Sequence, residues 1–123
     1  MTNEQTLRAG PQQPAVDLEH LNQYTGGDVA VNGEVLQLFQ GQAADMLAQL
    51  EKSLAARDCA GWFDAAHTFK GGSRGIGAFA LAEAIAEAER LDPAAQRAEA
   101  RASLNMIEAQ CGQVLAFIES YLG

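Results

Sequence analysis

Residues 58–78 read DCAGWFDAAHTFKGGSRGIGA. Within this stretch Cys59, Trp62, Phe63, Ala66, Phe69 and Ser73 recur mostly at intervals of three and four. That is the period of one face of an α-helix, not of a strand. Asp58, just ahead, has the short acceptor side chain of an N-cap. The helix is expected to break within the glycine-rich stretch Gly71 to Gly77.

The same period extends in both directions. Upstream, Val35, Leu36, Phe39, Met46, Leu47, Leu50 and Leu54 form one stripe of a helix ending near Arg57. Asp28 is its plausible N-cap, although Asn32-Gly33 is a weak spot from which the helix would otherwise start. Before it, Asp17 to Tyr24 reads as a short helix with Leu18 and Leu21 on one face, stopped by Thr25-Gly26-Gly27. Downstream, Leu81, Ala84, Ile85, Ala88 and Leu91 face inward on a further helix. Asp92-Pro93 then reads as the N-cap and first position of the last helix, whose stripe is Leu104, Ile107, Cys111, Val114, Leu115, Ile118 and Tyr121. Four such helices with short joints bury their stripes most simply in an all-α, antiparallel, up-and-down four-helix bundle, with the short N-terminal helix as a lid. Residues 1–14 are polar and read as a disordered leader, so the domain is expected to span 15–123.

Composition removes several classes of function. Eight Lys and Arg against sixteen Asp and Glu give a net charge of −8. Such a chain is repelled by nucleic acid and by anionic membranes, and no basic run offsets this. No run approaches the roughly 18 apolar residues of a membrane span, and the first residues lack a secretory signal. The cytoplasm is the default location. Cys59 and Cys111 lie among apolar residues and read as reduced core positions. No Cys/His cluster has metal-ligand spacing.

His67 is the candidate site. At 3.6 residues per turn it lies about 100° round from Ala66, bordering the core with its ring within reach of solvent. Lys70, Gly71 and Arg74 share its side. A neutral imidazole is a good nucleophile near pH 7, its unperturbed pKa being about 6.5. If His67 accepts a phosphoryl group, Lys70 and Arg74 place positive charge where that anion would sit. Gly71 leaves space for a partner, and two successive glycines are hard to explain by helix stability, since each costs about 1 kcal/mol relative to Ala. His20 lacks any such setting and reads as solvated, Asp64 receives no role, and Trp62, Phe63 and Phe69 read as core rather than as a ligand cage.

Ala66-His67-Thr68-Phe69-Lys70-Gly71 with the later Gly77-Ala78 resembles the signature of the histidine-phosphotransfer (HPt) family. Thr25-Gly26-Gly27-Asp28 followed by Leu38-Phe39 is similar to the way such domains open. The resemblance covers roughly residues 15–122. It departs from the usual pattern at Phe69, in place of Leu, and at Gly72, in place of Ser or Ala, where the helix is expected to fray. The resemblance implies a two-component phosphorelay module. His67 would accept a phosphoryl group from a receiver-domain aspartate and pass it to another. Lys70 would help neutralise the phosphate and Gly71 would leave room for docking, with Arg74, Gly75 and Phe63 in the contact patch. It implies response-regulator receivers or a hybrid histidine kinase as partners, Mg²⁺ on the partner receiver and no cofactor of its own; a monomer is expected because one four-helix bundle is self-sufficient.

Two nucleotide-binding strings fail on context. Gly75-Ile76-Gly77-Ala78-Phe79-Ala80 fits a dinucleotide fingerprint but follows a helix rather than a strand. Gly72 to Gly77 has the gap of a P-loop but carries Ala78 where Lys is required. A kinase would need a separate nucleotide-binding domain, for which 123 residues leave no room. A structural adaptor that binds a partner helix without chemistry is the rival in another class, and a phosphohistidine phosphatase is the enzymatic one.

Overall fold

The computed structural model describes residues 14–123. The expected leader therefore lies outside the described residues, except for Pro14. Five helices follow in order: α1 (Leu18–Thr25), α2 (Val29–Ala56), α3 (Cys59–Gly75), α4 (Phe79–Glu89) and α5 (Arg97–Leu122). There is no strand among the described residues. Helix α3 packs on α2 and α4, and α5 closes the ring against α4 and α2. This is the expected helical bundle with a short additional N-terminal helix.

Three aspartates start three helices as their sequence positions indicate. Asp17 accepts from the His20 amide, Asp28 from those of Ala30 and Val31, and Asp58 from that of Gly61. Gly26 ends α1 in the left-handed conformation. The core runs through Leu36, Phe39, Leu50 and Leu54 of α2, Trp62, Ala66 and Phe69 of α3, Leu81 and Ile85 of α4, and Leu104, Ile107 and Ile118 of α5. Asn32 does not mark a helix start. Its side chain is buried and ties the bundle end together, donating to Asn22 and Tyr121.

Several expectations need correction. Helix α3 ends at Gly75, within the stretch where the break is expected, but it does not fray at Gly72. Glycine permits a break without imposing one. Here the burial of Phe69 and Ser73 on either side holds the helical path. Gly72 sits where a Cβ would overlap the end of the Gln42 side chain of α2, which would have to move aside. Asp92 caps a separate turn, accepting from the Ala94 and Ala95 amides, and α5 begins only at Arg97. Cys59 is not core: it is the exposed first residue of α3 and its thiol donates to Asp92. Cys111 is buried as expected, and burial pushes its thiol up to about 11. Phe63 is 47 % exposed, rotated off the stripe defined by Trp62 and Ala66. His20 is half-buried, with Tyr24 and Phe79 meeting its ring edge-on.

The corner between α3 and α4 also carries α1. Gly77 has φ +83°, and its carbonyl accepts from the Asp17 amide at 2.9 Å. An eight-residue helix is too short to stand alone. This bond and the burial of Val16 and Leu21 dock it. A Cβ at Gly77 would lie 2.6 Å from the Asp17 carbonyl oxygen, whereas at Gly75 it would meet open space. Gly77→Ala is therefore expected to lower stability in urea unfolding by about 1–3 kcal/mol, while Gly75→Ala leaves it unchanged or raises it by up to about 1 kcal/mol.

Candidate functional site

The site stands on the outer face of α3 where it runs beside α4. Antiparallel pairing of the two helices is registered by Trp62, whose indole N–H donates to the Ala88 carbonyl at 2.8 Å. Trp62 is fully buried, so this bond satisfies a donor that would otherwise be stranded in the core. The next residue of α4, Glu89, is thereby placed against the α3 face that carries His67 and Lys70.

The His67 side chain is 65 % exposed, on the helical segment expected from its neighbours. Its Nδ1 lies 2.9 Å from Glu89 Oε2. The second oxygen, Oε1, accepts from the Lys70 ammonium. Hydrogen bonding to Lys70 holds the Glu89 carboxyl below the usual carboxylate range; desolvation opposes this, and His67 adds a smaller push the same way. Glu89 is thus a carboxylate at neutral pH. A carboxylate can only accept, so Nδ1 carries the hydrogen and the Nε2 lone pair is free. Phe63, one turn earlier on α3, stacks on the ring at 5.7 Å between centroids and 14° between planes. One carboxylate and one aromatic face together fix both the tautomer and the plane of the imidazole.

The expected site residues separate into two groups. His67, Lys70 and Phe63 come together in direct contact or through Glu89. Gly71, Arg74 and Gly75 are exposed along the same helix, and added Cβ atoms at Gly71 and Gly75 would meet no neighbour. Arg74 makes no ion pair among the described residues. The side chain of Lys70 is only 17 % exposed and its charge is matched by Glu89, so Arg74 is the freer cation of the pair. Glu89 was missed in the sequence. It lies 22 residues from His67 in an Ala/Glu-rich helix where several glutamates look alike. The one available signal was that it directly follows Ala88, an inward position.

The described residues include no group of three or more His, Cys, Asp or Glu placed to hold a metal ion. None of the described helices is long and apolar enough to cross a membrane. What the arrangement can do chemically is present one oriented, solvent-reachable nitrogen nucleophile beside a positively charged side chain.

Comparison with protein families finds the Hpt domain over residues 34–118, more than half of the chain. Searches among curated proteins and among solved structures returned no match. Hpt domains act in histidine phosphotransfer in two-component systems, as carriers without an ATP site of their own that interact with response-regulator receivers and kinases. With the family match reaching into all four bundle helices and covering the His67 segment, the chain belongs to the Hpt domain family.

Proposed function

We propose that this protein relays a phosphoryl group between receiver-domain aspartates, with Nε2 of His67 as the carrier atom. The observation that carries the reading is the exposed imidazole with Nδ1 engaged by Glu89 and Nε2 left open. In the loading step the Nε2 lone pair attacks phosphorus of an aspartyl phosphate, nearly in line and through a loose transition state. The N–P bond forms, the acyl P–O bond breaks, and its electron pair stays on the aspartate. The partner supplies that acyl phosphate and its Mg²⁺.

Lys70 and Arg74 supply positive charge for the phosphoryl oxygens. An ammonium has three N–H donors, so Lys70 can serve phosphate while Glu89 holds it. Gly71 and Gly75 keep the helix surface low beside the ring, which suits the approach of a partner as bulky as a receiver. Phe63 adds apolar area to the same patch. The helices of a single chain close their own core, which supports a monomeric carrier placed with its partners in the cytoplasm.

Two measurements test this reading. Incubation with a phosphorylated receiver or a hybrid kinase is expected to leave acid-labile phosphate on the wild type and none on His67→Gln; label persisting in the variant removes His67 from the reaction. An adaptor without chemistry would take no label in either protein. Gly71→Ala is expected to gain about 0.5–1 kcal/mol of stability, because the position is helical and open. Its transfer rate with a receiver should nevertheless fall, since the added methyl stands in the proposed contact patch.

A further inference from the structure

Glu89 bridges the two reactive side chains, and its place in the site raises the question of what happens to the Nδ1 proton once Nε2 carries phosphate. Building on the reading of His67 as acceptor, we propose that Glu89 is a positioning residue that keeps this proton on the ring through both directions of transfer. The phosphoryl group then always departs from a protonated ring, and the leaving group is neutral imidazole.

The balance of the step shows why this matters. When Nε2 bonds to phosphorus, the ring carries Nδ1–H and N–P together and is formally a phosphoimidazolium. The positive ring faces a carboxylate oxygen 2.9 Å away, which favours retention of the proton. On unloading, the N–P bond breaks, its electron pair returns to Nε2, and a new P–O bond forms to the accepting carboxylate. The leaving group is imidazole if Nδ1 kept its proton and imidazolate if it did not. Imidazolate is much the stronger base and the poorer leaving group. A protein that lost the Nδ1 proton after loading would store phosphate rather than pass it on.

Lys70 completes the device by occupying the other carboxylate oxygen, so that Glu89 stays ionised and aimed at the ring. The charged groups around His67 are few. Its own helix α3 brings Asp64 on the preceding turn, with Lys70 and Arg74 beyond it, and α4 brings Glu89. Helix α2, packed on the other side of α3, brings no charged side chain within ion-pair distance of the ring among the described residues. Glu89 is therefore the only carboxylate in contact with the imidazole there.

The test uses the whole chain loaded with phosphoramidate, a small donor whose P–N bond breaks with loss of ammonia. Nitrogen-15 NMR of the His67 ring is followed between about pH 6 and 9, with the rate of phosphohistidine hydrolysis measured alongside. In the wild type, phosphate is expected on Nε2 with Nδ1 protonated into the alkaline range. In Glu89→Gln the Nδ1 proton should be lost on the order of one pH unit earlier. Hydrolysis of its phosphohistidine should fall on the order of tenfold at the alkaline end. Glu89→Asp, which keeps the charge, should stay nearer the wild-type profile. A purely structural role would lower loading at every pH without moving either profile. If Glu89→Gln does not fold, the wild-type spectrum still decides, because phosphate on Nδ1 or an unprotonated Nδ1 at neutral pH overturns the proposal. Phosphate on Nε2 with identical profiles in wild type and Glu89→Gln overturns this inference alone, whereas no phosphate on His67 at all overturns the acceptor reading beneath it.

Discussion

The antiparallel pairing of α3 with α4 is held at both ends, and the site exists because of that. At one end the chain turns through Gly77, whose carbonyl also receives the Asp17 amide of the N-terminal segment. At the other, the buried Trp62 indole is satisfied by the Ala88 carbonyl. A slip of one helical turn would displace α4 by about 5.4 Å along α3. It would strand the indole N–H in the core and carry Glu89 away from His67. The register demanded by one buried hydrogen bond is the register that builds the charged bridge one residue further on.

That bridge does its work by dividing labour between two oxygens. One holds the imidazole in a single tautomer and the other holds Lys70. The His67 ring is most of the way into solvent, where a free side chain would rotate and exchange tautomers. Carboxylate and Phe63 restrain it without burying it. Accessibility and orientation usually trade against each other, because side chains are ordered by being covered. Here the covering is confined to one ring face and one nitrogen. The histidine is thus ordered and still faces outward.

The glycines of α3 and its following turn divide in the same way. Gly72 and Gly77 each have a close neighbour, the end of the Gln42 side chain in one case and the Asp17 backbone in the other. Added Cβ atoms at Gly71 and Gly75 would meet nothing within 4 Å among the described residues. No packing neighbour among the described residues accounts for their smallness, and they leave the helix surface low beside His67.

The bundle was legible in the sequence because helical amphipathicity is local. Spacings of three and four among Trp62, Ala66 and Phe69, or Leu104, Ile107 and Cys111, are a direct record of the buried face, and aspartates before three of the runs announce the caps. His67 was legible for the same reason, since Lys70, Gly71 and Arg74 lie within two turns of it. What the sequence could not carry was anything requiring a second helix. Whether a glycine pair breaks a helix, whether Cys59 and Phe63 fall inside or outside, and where α5 begins were decided by packing against neighbours. Above all, the choice of Glu89 among several glutamates of α4 came from the Trp62–Ala88 register. Sequence alone determined the helices, their inner faces and which imidazole shares a helical side with a lysine, a glycine and an arginine. Only the tertiary structure decided the tautomer of that imidazole and the partner of its lysine, because an ion pair across 22 residues depends on how two helices slide, and no local pattern records that.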